Sequence, residues 1–492
     1  MSESDLVSST LLVAPDGRLQ ISESFYGADG EWPSSALFSL DDTFKLQSNR
    51  GAGKTIVLEF DFDPTFFNSS YPLERPTDYP APFKIFAQHV WQHVAEDFSP
   101  FDVNVTTALP STPFSKLFAE RLPSPSDPPN AYIVQLQMRL NYAFFGDGPY
   151  YKGYVYLKSF NHTEDSRRTF SLMVPRYESD PATTANLVSN MLGHALGLRD
   201  EVIRRPSSGS DESNQAMELY RGHNTPAGKW APIMGNPGDA AITQFSRGEY
   251  PGAVNQSDSF AIMQRNGLPL RTDDHGGTWP TASALTIAPG TPAVISGVLE
   301  RANDRDLFAI QAAPGLLRAG LTPSFGSANA NYALRLFDNN GVQIAIANPR
   351  DSLVGSFRYI IRAPGTYYLL VTPEAVAADA NGPGIPAYGN RGAYTLTANY
   401  TPSTQALPTA SFMASSPQGL VAGSSIQFNA TAADRVGIAS YSWDFGDGTQ
   451  TRPSAGNITS KTFARPGTYR VSLRVQNTQG FSTSVQNTIV IT

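Results

Sequence analysis

The chain has 492 residues, 36 Lys and Arg against 43 Asp and Glu for a formal charge of −7, and no cysteine. That length predicts about three domains at ~150 residues each, and the acidic balance argues against a nucleic-acid electrostatic footprint. Missing thiols exclude disulfides, thiolate zinc sites and cysteine nucleophiles; no run approaches the ~20 apolar residues of a membrane span.

The opening residues Met1–Val7 lack the basic and apolar regions of a signal peptide. Residues 1–50 are rich in Ser, Asp and Gly, with short strand-like pieces such as Leu11-Leu12-Val13, and predict an extended lead-in packed on the next domain. Gly51-Ala52-Gly53-Lys54-Thr55 looks like a phosphate-binding loop. However, Ser48 stands where the first Gly is needed, and a strand over Thr55–Phe60 follows instead of a helix. Without a helix N-terminus there is no phosphate cradle.

That strand continues into Asp61-Phe62-Asp63. An amphipathic helix is expected over Ala87–Phe98, carrying Trp91, Val94 and Ala95, then a strand over Val103–Thr106. His89 and His93 lie one turn apart on the helix, but no third ligand is evident, so a solvated face is the expected role. Strands rich in Tyr, Val, Ile and Leu follow at Ala131–Met138, Gly153–Phe160 and Phe170–Pro175.

Residues 186–201 dominate the reading. Leu187, Val188, Met191, Leu192, Ala195 and Leu196 recur at helical spacing, and Gly197 is placed to end the helix in a left-handed conformation. Asn190 and His194 are one turn apart on one face. In register with His-Glu-x-x-His-x-x-Gly-x-x-His, Asn190 occupies the first His and Met191 the Glu. His194 and Gly197 match, and Asp200 takes the third ligand position. Downstream come Trp230-Ala231-Pro232-Ile233-Met234-Gly235 and Thr243-Gln244-Phe245-Ser246-Arg247-Gly248-Glu249-Tyr250.

Together these segments resemble a degenerate metzincin zinc peptidase of secreted type. The resemblance implies a mixed α/β domain over residues 51–265, with Met234 in the methionine turn beneath the zinc site. His223 then belongs to the loop before that turn rather than to a ligand set. Such chemistry needs two imidazoles a turn apart, a third ligand and a carboxylate to activate water. Here one imidazole remains. The Asn190 amide oxygen is neutral and hard, a poor zinc donor, and the Met191 thioether cannot take a proton. The expectation is a vestigial cleft of Asn190, Met191, His194, Gly197, Asp200 and Met234, with no catalysis. Any metal there would be zinc on His194 and Asp200.

Residues 266–282, including Asp273-Asp274-His275-Gly276-Gly277-Thr278, read as a polar linker. Over 283–402 short alternating strands without helices predict a β-sandwich. Its Gly365-Thr366-Tyr367-Tyr368-Leu369 and Gly392-Ala393-Tyr394-Thr395-Leu396 pieces resemble a pre-peptidase C-terminal domain. The Asn303-Asp304-Arg305-Asp306 cluster reads first as a solvated turn and second as a calcium site. In residues 408–492, Tyr441-Ser442-Trp443-Asp444-Phe445-Gly446-Asp447-Gly448-Thr449 and Phe463-Ala464-Arg465-Pro466-Gly467-Thr468-Tyr469-Arg470-Val471 resemble a PKD domain, an immunoglobulin-like sandwich. Trp443 and Tyr469 are expected in its core, with Asp444 and Asp447 ordering the turn.

The fold class is therefore multidomain α+β and all-β: a metzincin-like mixed α/β domain followed by two β-sandwiches. The expected function is a catalytically inactive, metallopeptidase-like extracellular protein with a structural, adhesive or assembly role. It would act at the cell surface or in a filament or matrix. The alternatives are an active secreted zinc endopeptidase with a divergent site, and a pseudo-peptidase that binds peptide without cleaving it. Expected partners are other extracellular proteins, glycans or further copies of the chain, with no nucleic acid and no transmembrane segment. Asn-x-Ser/Thr sequons at Asn68, Asn104, Asn161, Asn255, Asn399, Asn429 and Asn457 are candidate glycan acceptors.

Overall fold

The computed structural model describes residues 8–13, 19–26, 36–63, 79, 81–108, 131–139, 150–156, 158–160, 169–174, 180–204, 217–238, 240–325, 329–378, 382–402, 407–478 and 480–492. Asn68 and Asn161 lie outside them. None of the described helices is long and apolar enough to cross a membrane.

The first unit is built on a seven-stranded mixed sheet. Its spatial order is Ser8–Val13, Leu19–Tyr26, Tyr150–Tyr156, Thr169–Val174, Ala131–Arg139, Lys54–Asp63, Val103–Thr106. Strand 54–63 runs parallel to 103–106 and 131–139, which pairs in parallel with 169–174; strand 150–156 is antiparallel to 169–174. Helices α1 (Ala81–Asp97) and α2 (Pro181–Ala195) pack on each other. Ile56, Leu58 and Phe60 of strand 54–63 share one core with Phe83, Phe86, Val90 and Val94 of α1 and Val188, Met191 and Leu192 of α2.

Helix α1 begins six residues before the expected Ala87, because Phe83 and Phe86 extend its buried stripe and Pro82 is tolerated in a first turn. Asp180 caps α2, its carboxylate accepting the N–H groups of Ala182 and Thr183.

The lead-in does more than lie on the domain: it extends the sheet at one side and covers its edge at the other. Hairpin 8–26 pairs antiparallel with 150–156. At the other edge the Ser48 N–H donates to Val105 O and the Thr107 N–H to Leu46 O. Unpaired strand edges invite intermolecular pairing, so this segment protects the unit.

The second unit is a sandwich of a five-stranded sheet (283–284, 306–312, 365–373, 332–337, 343–347) on a four-stranded one (293–299, 392–402, 315–323, 356–361). The third pairs two three-stranded sheets around Trp443, Phe428, Phe412 and Phe463. Asp444 and Asp447 each accept a backbone N–H two residues on, and Gly446 and Gly448 take positive φ in that turn. Tyr469 is only half-buried, not core: its ring packs 4.3 Å from Phe463 while its hydroxyl donates to Arg465 O at the surface.

Residues 266–282 differ from the expected free linker. Leu268 is fully buried, the Asp102 N–H donates to Pro269 O, and the Arg271 N–H donates to Pro100 O. The sandwich is also docked on the first unit. Asn329 gives its N–H to Glu96 and its side-chain amide to Asp97, and its side-chain oxygen accepts the Thr243 N–H. Tyr388 donates to Asp258, the cap of α3 (Ser259–Arg265), and Arg391 lies 3.8 Å above the Phe260 ring. Polar sequence in 266–282 hid a strap whose backbone donors and acceptors are used by its neighbours.

Candidate functional site

The residues expected to form a vestigial cleft lie at and beyond the C-terminal end of α2, with Met234 beneath it. Gly197 takes φ +88°, and the reversal returns Leu198 and Asp200 to the imidazole of His194. His194 is fully buried, with Nδ1 3.1 Å from Leu198 O and Nε2 3.3 Å from Asp200 Oδ1. A carbonyl only accepts, so Nδ1 carries a proton and Nε2 is the nitrogen turned to the carboxylate. Two motif residues far from obvious partners in sequence are thus brought together.

Asn190 has another use. Its side-chain amide donates to Ile233 O at 3.1 Å, fastening α2 to the 230–235 turn; its buried Oδ1 accepts no hydrogen bond from the described residues. Met234 sits under the same helix, and a Cβ on Gly193 would collide with its sulfur. The Glu201 N–H donates to Met234 O, tying the post-helical turn to this support.

Zinc fits this donor set poorly. His194 and Asp200 are competent donors, but Asn190 offers only a neutral amide oxygen. Met191, which the resemblance aligns with the water-activating Glu, is fully buried in the core. Glu201, which sequence reasoning missed, is a buried acid nearby in the chain. It accepts Ser246 Oγ at 3.1 Å and Tyr250 OH at 2.6 Å, and burial pushes its carboxyl up to about 7. The Thr243–Tyr250 motif holds both donors, but their pairing with Glu201 exists only in three dimensions. Loss of water on burial pushes the His93 imidazole down to about 4, against the pull of Asp180. Neither His89 nor His93 joins a metal-competent cluster among the described residues. His223 faces the sandwich: Nδ1 is 2.8 Å from Tyr220 OH and Nε2 2.6 Å from Gly384 O.

Among the sequons, Asn104 requires correction as an acceptor. It is buried, and its Oδ1 accepts the Asn49 N–H, because its strand is covered by the lead-in. Asn255 uses its amide on the carbonyls of Arg199 and Asp200. Asn429 and Asn457 are exposed on the third unit and Asn399 is half-buried on the second.

A second site was only partly legible. Asp304 and Asp306 of the predicted turn are joined by Glu300 and by Asp273 and Asp274 of the strap. Ligand oxygens of Asp273, Asp274 and Asp306 lie within 4.8 Å of one another, as do those of Asp273, Glu300 and Asp304. Oxygens across a calcium ion at ~2.4 Å stand up to ~4.8 Å apart, so the spacing fits a hard divalent cation. Glu300 and Asp306 are fully buried, and both Glu300 oxygens and Asp306 Oδ1 accept no hydrogen bond among the described residues; Arg301 approaches Glu300 only to 3.7 Å. Burial, then the neighbouring Asp304 and Asp274, push Glu300 up to about 10, and burial pushes Asp306 up to about 8. Tyr394 OH holds the other Asp306 oxygen at 2.5 Å. The solvated-turn reading does not describe such acids.

Comparison with known proteins places the third unit. Residues 405–492 match the PKD domain family model. The PKD1 domain of Vibrio anguillarum Epp is 30% identical, with 18% of this chain and 95% of that one covered and a TM-score of 0.15. The PKD1 domain of Vibrio cholerae metalloprotease PrtV is 31% identical, covering 18% and 98% with a TM-score of 0.15. The pre-peptidase C-terminal domain of Bacillus anthracis collagenase is 16% identical, covering 24% of this chain and 96% of that one at a TM-score of 0.17. No match was found among the curated proteins. Through residues 405–492 the chain belongs to the PKD-domain family.

Proposed function

We propose that the chain is a non-catalytic extracellular protein built on a metallopeptidase-like scaffold, with a structural, adhesive or assembly role at the cell surface or in a matrix. In this reading residues 51–265 are a decayed metzincin-like domain and 283–402 a pre-peptidase C-terminal-like sandwich. PKD domains are typical of extracellular proteins, which supports the location.

One observation carries the reading. The two positions that should hold zinc and activate its water serve the fold instead: Asn190 grips Ile233 O and Met191 fills the core. Removing a ligand and the general base should each cost orders of magnitude in rate. Metal analysis beside a casein digestion assay tests it. We expect no stoichiometric zinc and no cleavage; bound zinc with chelator-sensitive proteolysis would sink the proposal.

The acid cluster supports a second element: Asp273, Asp274, Glu300, Asp304 and Asp306 would hold calcium. When bound, the ion would supply the positive charge that the dehydrated Glu300 and Asp306 carboxylates need to ionise. Asp273 and Asp274 come from the strap and the others from the sandwich, so the ion would clamp one to the other.

A further inference from the structure

A groove of about 420 Å³ lies on the outer face of the five-stranded sheet, away from both sites above except at Asp304. Leu334 and Leu336 point into the core, so the alternating Arg335 and Phe337 point out and line it. Gln343, Leu370, Thr372 and Glu374 complete the floor and far side, and the turn 302–305 forms a wall. Trp279, on the strap, stands edge-on to Phe337 at 5.5 Å and to Tyr368 at 4.5 Å. It nonetheless keeps 44% of its surface exposed. One aromatic in the lining and an exposed one adjoining it, beside convergent polar groups, is the composition of a ligand site, and the volume lies within the usual ~300–1,000 Å³.

Charge pairing narrows the ligand. Arg335 is bonded to Glu374 and to Thr372 Oγ1. The Asp304 carboxylate accepts the N–H groups of Glu300 and Arg305. An ionic ligand would have to break one of these arrangements and leave the other partner exposed. A neutral polyol can donate to Glu374 and accept from Arg335 without separating them. Its C–H faces suit the exposed surface of Trp279, which adjoins the groove through its contact with Phe337. We infer that this groove, flanked by Trp279, binds a neutral oligosaccharide. That deepens the adhesive reading above by naming a ligand class, and it makes no use of the zinc argument.

The test uses the full chain in calcium-containing buffer with a panel of neutral hexasaccharides of glucose, xylose, mannose and N-acetylglucosamine. Binding is followed by tryptophan fluorescence and isothermal titration. At least one should bind saturably, weakening tenfold or more in Trp279→Ala and in Gln343→Ala. Both side chains are exposed, so both variants should fold, and Met413→Ala on the third unit should bind as the parent does. The inference is overturned if no member of the panel binds, or if Trp279→Ala leaves binding unchanged. It is also overturned if gelatin peptides or heparin fragments bind with the same Trp279 dependence and the neutral sugars do not. Sugar binding can fail while the chain remains non-proteolytic, so this outcome and failure of the non-catalytic reading are distinguishable.

Discussion

Gly193 and Met234 are in contact across forty residues of sequence: the glycine on α2 leaves room for the thioether, and nothing larger than hydrogen fits between them. Gly193→Ala should therefore overpack the junction and cost about 1–3 kcal/mol. Urea unfolding of the variant beside Gly456→Ala, where a Cβ meets nothing nearer than Ser454 Oγ at 3.6 Å, measures it. Equal stability of the two would contradict the packing described here.

Asn329→Ala should loosen the sandwich from the first unit. It removes the side-chain hydrogen bond to Asp97 and the acceptor for the Thr243 N–H, both in a part-buried interface. Unsatisfied buried groups cost ~1–3 kcal/mol each, so a loss of about 2–5 kcal/mol is expected. Faster hydrogen exchange at Thr243 N–H, with little change in the third unit, is the specific signature.

Asp97 gives a pH dependence of defined sign. Burial pushes its carboxyl up to about 7, only partly offset by hydrogen bonds from Ser189 and Asn329. The folded state thus holds a proton that the unfolded chain releases near pH ~4. Its contribution is complete below that value and is lost as pH rises through about 7. Glu201 acts in the same direction, with a folded value of about 7. His93, held down to about 4, contributes stability above its ordinary value that is lost as pH falls. The informative quantity is therefore the difference between parent and Asp97→Asn. The variant should gain relative stability from pH 5 to pH 8 in denaturant titrations, and a flat difference would refute the assignment.

Calcium should bind at the strap–sandwich junction and raise the unfolding temperature. At a hundredfold excess over Kd, one site stabilises by about 2.7 kcal/mol. Glu300→Gln and Asp306→Asn should abolish the heat of binding in isothermal titration while the circular dichroism spectrum stays unchanged. Retained binding in both would place the ion elsewhere.

Trp443→Ala should destabilise the PKD domain by about 3–5 kcal/mol, since the side chain is almost fully buried among Phe412, Phe428 and Phe445. Its core shares no residue with the other three hydrophobic clusters. Calorimetry should show one transition moving and the rest staying in place.

By itself the sequence determined the local elements: the period-3.6 stripe of α2, the glycine that ends it, the alternating strands after 283, and the Asp-Gly turn beside Trp443. These depend on neighbours a few residues apart, where periodicity and turn chemistry act. It also determined which donors are missing from the zinc motif, because that is a matter of side-chain identity. Only tertiary structure decided what the substituted residues do. Asn190 finds Ile233 O, Glu201 finds Tyr250 and Ser246, and Asp273 and Asp274 join Glu300, Asp304 and Asp306. It also turned a polar stretch into a strap, and a lead-in into two added strands and a cover for the opposite sheet edge. Such pairings arise because buried polar groups must be satisfied by whatever the packed backbone brings near, and no spacing along the chain encodes that distance.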